Sequence, residues 1–233
     1  MPLLQLINVT KTYKTGVFEY QALKGISVDI DAGEMVAIIG PSGSGKSTTM
    51  HILGALDNPT SGKYILNGQD VSKMPENELA KVRNSEIGFV FQAFNLLPRT
   101  TVLNNVVLPL MYAGVKPRDR IEIATKALKA VGLEDKMYNK SNQISGGQIQ
   151  RVAIARSLVN NPSIILADEP TGNLDTKTSL EVIKIFQEMN NQGKTIVLIT
   201  HEADIAAHCK RIITIKDGMI LTDEPNKNFS KID

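Results

Sequence analysis

The spacing of apolar and polar residues divides the chain into regions with different predicted elements. Apolar and polar residues alternate along residues 3–30, as at Leu4 and Leu6, and a period of two is typical of half-buried strands. A turn is expected near Lys14-Thr15-Gly16. This pattern predicts an antiparallel pair of strands at the start of the chain.

Short, wholly apolar runs follow this pair and predict buried strands. Helices predicted at residues 48–56 and 176–189 alternate with them, an order that favours a parallel sheet covered by helices. Residues 62–66 followed by Asn67-Gly68 predict a strand entering a tight turn, and Lys216-Asp217-Gly218 predicts the turn of a final hairpin. The other predicted strands are residues 35–39, 87–91, 164–167, 195–200, 211–215 and 219–221.

The period changes to a helical one between Gln92 and residue 156. Apolar residues recur at helical intervals, as at Val102 and Val106. Pro117 stands where the next helix is expected to begin, because proline suits the first helical position. We therefore expect a helical lobe at residues 92–156, inserted between strands.

One domain, residues 1–233, accommodates all of these elements. The predicted fold class is α/β, with a mostly parallel sheet, an N-terminal antiparallel β lobe and the inserted helical lobe. Residues 1–91 and 157–233 are expected to form the core together with the β lobe. The polar tail from Glu224 is expected to be loosely packed.

Composition and charge exclude several classes of protein. Hydrophobic residues make up 42% of the 233 residues and charged residues 21%, which is typical of a globular domain. The 26 Lys and Arg nearly balance the 24 Asp and Glu, so the charge gives no reason to expect a nucleic-acid partner. The apolar runs are far shorter than the ~18 residues of a membrane-spanning helix, and residues 1–5 lack the pattern of a signal peptide. We therefore expect a cytoplasmic chain whose membrane role, if any, requires a partner.

Cysteine and histidine add little chemistry on their own. The single cysteine, Cys209, cannot form an internal disulfide and is expected to be a buried structural thiol. His51 and His208 are interpreted as structural residues.

A glycine-rich loop lies between the strand predicted at residues 35–39 and the helix that follows. It fits G-x-x-x-x-G-K-[ST], the pattern of loops that bind nucleotide phosphates. Its glycines let backbone N–H groups surround an anion, and the helix start adds partial positive charge. Lys46 is expected to reach the β- and γ-phosphates, and Ser47 to ligate Mg²⁺. The loop residues expected to bind the nucleotide are Gly40, Pro41, Ser42, Gly43, Ser44, Gly45, Lys46, Ser47 and Thr48.

Two acids, Asp168 and Glu169, end the apolar run that starts at residue 164. Strands often end in a solvated acid, so the pair alone is weak support for a site. Beside a phosphate loop, however, Asp168 is expected to hold Mg²⁺. Glu169 is expected to be the general base that activates a water for attack on the γ-phosphate.

A second phosphate-binding helix start is predicted near residue 148. Residues 143–148 resemble the signature sequence of ATP-binding cassette (ABC) ATPases, with Ile144 where leucine is usual. The resemblance covers essentially the whole chain and implies ATP and Mg²⁺ as cofactors. Because the chain has two anion-binding helix starts, the second is expected to serve another copy's nucleotide, in a head-to-tail homodimer with two composite sites. Its residues are Ser145, Gly146, Gly147 and Gln148.

The resemblance also assigns four roles to single residues. Tyr13 matches the aromatic residue that stacks on adenine, and Gln92 matches the glutamine that contacts Mg²⁺ and the attacking water. Asp175 lies in a motif, residues 172–175, that crosses the dimer interface. His201 matches the histidine that contacts the γ-phosphate.

Finer features indicate a subgroup. Residues 18–23, 54–62, 91–97 and 169–175 are similar to ATPases of the lipoprotein-releasing and macrolide-efflux group, LolD and MacB. This likeness implies an integral-membrane permease as partner, an extracytoplasmic adaptor reached through it, and a place on the cytoplasmic face of the membrane. FtsE-like regulatory ATPases of non-transporting complexes have nearly the same motifs and stay open as an alternative. A nucleic-acid or ribosome-associated ABC ATPase is disfavoured, since the chain has no second cassette and a neutral charge balance.

The segment after Gln92 is expected to meet the permease. It contains more apolar residues than a small lobe needs, so some should pack internally and the others should line a groove for a cytoplasmic helix of the permease. Pro98 and Arg99 are expected at the tip of the loop. The apolar residues are Phe94, Leu96, Leu97, Val102, Val106 and Leu110.

Overall fold

The computed structural model describes residues 1–232 and contains ten strands and seven α-helices in that range. The strands are β1 (Leu4–Thr15), β2 (Phe18–Ile30), β3 (Met35–Ile39), β4 (Ser61–Leu66), β5 (Gln69–Asp70), β6 (Ile87–Phe91), β7 (Ile164–Asp168), β8 (Thr195–Ile199), β9 (Arg211–Lys216) and β10 (Met219–Pro225). The helices are α1 (Lys46–Leu53), α2 (Glu76–Glu86), α3 (Val102–Tyr112), α4 (Pro117–Ala130), α5 (Gly146–Leu158), α6 (Thr176–Asn191) and α7 (Ala203–Ala206).

The strands form two sheets, as the α/β prediction requires. One has four antiparallel strands in the order β2-β1-β4-β5 and forms the N-terminal β lobe. The other has six strands in the order β10-β9-β3-β8-β7-β6, and only its edge strand β10 is antiparallel. The inner strands β7 and β8 are buried because helices cover the sheet, which explains their continuous apolar runs.

The parallel strands bring four loops to one edge of the large sheet. Asp168, the last residue of β7, pairs with Phe91 of β6 and with Ile199 of β8. Ile38 of β3 also pairs with Ile199. The loops that follow these four strands therefore start side by side, the position where open parallel sheets bind ligands.

The helical lobe contains α3, α4 and most of α5. Val102 and Val106 are fully buried and pack in one core with Ala124 and Leu128. The lobe was predicted at residues 92–156, and α5 extends slightly beyond it, to Leu158.

Two helix starts differ from their predicted positions because of local capping. Helix α1 begins at Lys46, not residue 48, because the preceding residue, Gly45, has a left-handed φ of 107° and caps the helix. The helix ends at Leu53, before Gly54. Helix α5 begins at Gly146, not residue 148. The Ser145 hydroxyl caps it by accepting a hydrogen bond from the Gln148 backbone N–H at 3.3 Å, and Gln148 Oε1 accepts one from the Ser145 backbone N–H at 3.0 Å.

Two further differences concern weak sequence signals. Helix α2 was not predicted, because it buries only Leu79 and so has no apolar periodicity. The tail was predicted to be loose, which is wrong for residues 226–232. The Ser230 N–H donates to the Ala207 carbonyl at 3.0 Å, and the Ile232 N–H donates to Gln187 Oε1 at 2.9 Å.

Candidate active site

The phosphate loop connects β3 to α1 at the shared strand edge. Gly40, Gly43 and Gly45 have φ values of 155°, 76° and 107°, which side chains other than glycine rarely adopt. A Cβ at Gly40 would lie 2.1 Å from the Ile215 carbonyl oxygen. The backbone therefore requires glycine here, and it forms the concave arrangement of N–H groups that suits an anion.

Lys46 folds back over this loop. Its Nζ donates to the carbonyl oxygens of Gly40 at 2.8 Å and Pro41 at 3.0 Å. The buried Ser44 Oγ has no hydrogen-bond partner within residues 1–232. A lysine ammonium and an unsatisfied hydroxyl next to a glycine cradle are a donor set that fits a nucleotide phosphate.

Asp168 and Glu169 follow β7 beside the loop. Burial raises the pKa of Asp168, and the neighbouring Glu169 raises it further, whereas His51 and Lys46 oppose the rise. A cation placed against this carboxylate would reverse the effect of burial, so the residue suits a metal ligand. His51 was interpreted as structural, yet it also acts on this acid electrostatically.

Glu169 is held by its backbone and by its side chain. Its φ of 45° is unusual for a residue with a side chain, and its N–H donates to the Ile199 carbonyl at 2.8 Å. Its carboxylate lies 2.7 Å from His201 Nδ1 and accepts a 3.4 Å contact from Thr200 Oγ1. This hydrogen bond to Glu169 raises the pKa of His201. The structure thus brings together the two residues that the sequence assigned to the γ-phosphate.

Gln92 lies at the end of β6, next to the segment that follows Glu169. Its carbonyl accepts a hydrogen bond from Asn173 Nδ2 at 2.9 Å. A Cβ at Gly172 would lie 2.6 Å from Gln92 Nε2. The glutamine is therefore in contact with residues 172–173, and through them with the acidic pair.

Tyr13 projects from the β1–β2 pair toward α1. Its hydroxyl donates to Asp57 Oδ2 at 3.2 Å, and Lys11 Nζ lies 5.0 Å from its ring centroid. Two neighbours were missed by sequence reasoning: Lys11, and Tyr20, whose hydroxyl donates to the Gly43 carbonyl at 3.3 Å. The alternation Lys-x-Tyr on one strand was the available signal for Lys11, and the strand pairing of Tyr13 with Tyr20 was the signal for Tyr20.

The start of α5 lies apart from the phosphate loop of the same chain. No hydrogen bond within residues 1–232 joins residues 145–148 to residues 40–48. Instead, a Cβ at Gly147 would lie 2.3 Å from Thr178 Cγ2. Thr178 in turn donates its N–H and hydroxyl to Asp175, at 3.0 Å and 2.6 Å. Thus Asp175 caps α6, and the glycines of α5 pack against it.

Two structural predictions can be compared directly with the contacts. Cys209 is fully buried, and burial raises the pKa of its thiol to about 12, so the prediction of a buried structural thiol is confirmed. His208 Nδ1 lies 2.7 Å from the Ser230 carbonyl and holds the tail in place.

A comparison with sequence families decides the class of protein. The profile described as ABC transporter matches residues 23–172. The chain belongs to the ABC transporter ATP-binding family. This is a family of ATP-hydrolysing cassettes, so the resemblance noted in the sequence and the ATPase assignment are both confirmed.

Relatives of this ABC protein include separate subunits and parts of longer chains. An uncharacterised ABC transporter ATP-binding protein of Thermotoga maritima is 52% identical over 217 residues, 93% of each chain. The macrolide export ATP-binding/permease protein MacB of Chlorobaculum tepidum is 51% identical over 226 residues, 97% of this chain and 35% of MacB. The chain therefore spans about a third of the MacB protein that it matches.

A solved structure agrees with this assignment. The dimeric post-hydrolysis state of the ATP-binding cassette MJ0796, bound to ADP and Pi, has a TM-score of 0.88 and 45% identity, over 97% of this chain and 100% of that one. Among residues 1–232 of the present chain, no helix is both long and apolar enough to cross a membrane.

Proposed function

We propose that this chain is the ATP-hydrolysing subunit that drives a LolD- or MacB-like membrane permease in the extrusion of a substrate. The observation that carries the proposal is the meeting, at one sheet edge, of the phosphate loop with Glu169 and its partner His201. The 51% identity to the ATP-binding part of a MacB protein supports the choice of permease class. The place of action is then the cytoplasmic face of the membrane.

The residues of the phosphate loop have the chemistry to hold ATP. The N–H groups of residues 40–48 bind the phosphates, Lys46 neutralises their charge, and Tyr13 offers a ring face for adenine. Ser47, Gln92 and Asp168 supply the oxygens that would hold Mg²⁺. Mg²⁺ held by these residues would supply positive charge to offset the negative charge of the phosphates.

Glu169 is the general base of the proposed hydrolysis. Its carboxylate accepts a proton from the water whose oxygen attacks the γ-phosphorus, while the bond from that phosphorus to the β-phosphate oxygen breaks. His201 Nδ1 lies 2.7 Å from one carboxylate oxygen and Thr200 Oγ1 lies 3.4 Å from the other, and the two contacts orient the carboxylate that receives the proton. Gln92 would orient the same water from the end of β6.

The second half of each site comes from another copy of the chain. Ser145 and Gly147 begin a helix whose N-terminal N–H groups suit an anion, but they do not hydrogen-bond to the phosphate loop of their own chain. A head-to-tail homodimer would place them, with Gln148 and Asp175, against the partner's nucleotide. The dimeric state of the related MJ0796 cassette supports this arrangement.

A groove of about 1200 Å³ between the core and the helical lobe suits a cytoplasmic helix of the permease. Phe89 and Phe91, stacked with centroids 5.3 Å apart, form part of the core side of the groove, and Leu108 and Tyr112 of α3 form part of the other. A helix with an apolar face fits such a groove.

The groove corrects our expectation from the sequence in part. Val102 and Val106 are fully buried, so they are among the residues that pack inside the helical lobe, as was expected of some of them. Leu97 is 47% exposed but lies outside the lining of the groove. Leu110, which was expected from the sequence, lines the groove, and Leu108 and Tyr112 of the same helix line it as well although they were not expected.

Copurification with the permease tests this function. The Tyr112→Glu variant introduces a charge at a side chain that is 76% exposed, so it should keep ATP binding and lose the permease. The Tyr138→Glu variant is the matched control, because Tyr138 is 77% exposed and lies outside the groove. Undiminished permease yield with Tyr112→Glu would contradict the docking site. Reconstitution of the complex in vesicles then separates export from an FtsE-like regulatory role, because only export moves a substrate across the bilayer as ATP is hydrolysed.

A further inference from the structure

The backbone at Glu169 is strained and must be held by its surroundings. Its φ of 45° lies in the left-handed region, which costs free energy for a residue with a side chain. Its N–H donates to the Ile199 carbonyl at 2.8 Å, and its carbonyl accepts from the Gly172 N–H at 3.1 Å. The Glu169 carboxylate moves with its backbone. A contact that holds the backbone of the following residue therefore also limits the position of this carboxylate.

The next peptide is fixed from the helical lobe. The Pro170 carbonyl accepts a hydrogen bond from Gln150 Nε2 at 2.7 Å, and Gln150 is fully buried. Gln150 lies on α5 one turn after Gly146 and Gly147. The side chain of Gln150 thus connects α5 to Pro170, the residue that follows the proposed base Glu169.

In the part of the chain that the structure describes, the amide group of Gln150 makes one hydrogen bond and leaves its oxygen unpaired. Gln150 Oε1 is buried and has no hydrogen-bond partner within residues 1–232. A buried, unsatisfied oxygen is unfavourable, and an apolar side chain of the same length would avoid it. The contact to Pro170 is the one hydrogen bond of the amide group among residues 1–232.

The start of α5 contacts both α6 and the segment that follows Glu169. A Cβ at Gly147 would lie 2.3 Å from Thr178, and one at Gly146 would lie 3.7 Å from Leu174. The first distance leaves no space between α5 and α6, and the second is an ordinary van der Waals contact between α5 and the segment that follows Glu169. In a close-packed interior, a displacement of α5 is expected to affect both neighbours.

We propose that Gln150 is a positioning residue that links the two composite sites. This inference rests on the proposed function, in which Ser145 serves the partner's nucleotide and Glu169 serves its own chain's nucleotide. When a nucleotide engages the start of α5, Gln150 carries the position of that helix to Pro170. It thereby sets the carboxylate of Glu169 for the other site.

Mixed dimers distinguish this role from one in which Gln150 only stabilises α5 for the partner's nucleotide. In the first dimer, a Gln150→Met subunit is paired with a Glu169→Gln subunit, so the one active site uses a base whose own chain lacks Gln150. In the second, both substitutions are on one subunit and the other is wild type, so the active base keeps its Gln150. We expect kcat per active site to fall about tenfold or more in the first dimer only.

Three controls make the result decisive. Gln187→Met removes another buried amide, far from the site, which donates to the His208 and Ser230 carbonyls, and should leave kcat unchanged. Gln150→Asn keeps an amide too short to reach Pro170 and should behave like Gln150→Met if the latter folds poorly. Calorimetry should show unchanged ATP affinity for the isolated Gln150→Met chain.

Different results would contradict the positioning role of Gln150 and the proposed ATPase function. Equal kcat values in the two mixed dimers, or a loss confined to the second, would overturn the positioning role while leaving the ATPase assignment intact. A wild-type protein without ATP hydrolysis would instead contradict the proposed function itself.

Discussion

Replacing Glu169 with glutamine removes the proposed base and changes little else. The amide keeps the size of the side chain, and its oxygen can still accept from His201, whose Nδ1 lies 2.7 Å from the carboxylate. Glu169 is not part of the loop that binds the phosphates, so ATP affinity should stay within about twofold of the wild type. The lost function is proton transfer, which contributes about 10²- to 10⁴-fold in rate.

The loss corresponds to about 2.7–5.4 kcal/mol in the barrier, since each tenfold change is about 1.36 kcal/mol. Single-turnover hydrolysis of radiolabelled ATP measures the chemical step, and calorimetry measures binding. Because ATP binds without being cleaved, the variant should also accumulate as a closed dimer during gel filtration in ATP. Hydrolysis at the wild-type rate would refute the assignment of the base, and a matching loss of ATP affinity would show that Glu169 acts in binding instead.

Two further predictions concern the raised pKa of Asp168 and the close approach of Gly147 in α5 to Thr178 in α6. Because burial and Glu169 raise the pKa of Asp168 above its ordinary 3.8, its contribution to stability should be present below that value and lost as the pH rises through the folded pKa. Thermal unfolding of wild type and Asp168→Asn over about pH 4–7 checks this sign, and parallel curves would contradict it. Gly147→Ala should impair ATP-dependent dimerisation because its Cβ would lie 2.3 Å from Thr178 Cγ2. Thr178→Ser, which removes that methyl and keeps the hydroxyl, should restore dimerisation in the double variant; no rescue would argue against the steric cause.

The fold and most of the site chemistry were predictable because they depend on local patterns. The glycines of residues 40–45 mark left-handed backbone directly, and buried parallel strands appear as apolar runs. Since the carboxyl ends of parallel strands share an edge, placing Asp168 after one strand and His201 after another was enough to bring them near the phosphate loop.

Features that depend on packing between distant segments could not be predicted. Helix α2 buries a single residue, Leu79, and so has no periodic signal. The groove lining at Leu108 and Tyr112 depends on how α3 sits against the core, because helical periodicity does not say which side of a helix remains exposed. In the sequence, Gln150 has no feature that distinguishes it from other polar helix residues. Its proposed role depends on its hydrogen bond to Pro170, which lies 20 residues away in the chain.

The head-to-tail composite site is the central claim, and complementation between two inactive variants tests it most directly. Lys46→Ala damages the phosphate loop, and Ser145→Arg blocks the start of α5, so either homodimer has two damaged sites. A mixed dimer has both lesions in one site and none in the other. Random mixing makes half of the dimers mixed, so ATP hydrolysis should recover to about a quarter of the wild-type rate. Activity no higher than that of either variant alone, or wild-type hydrolysis that does not depend on protein concentration in a strictly monomeric sample, would contradict the account.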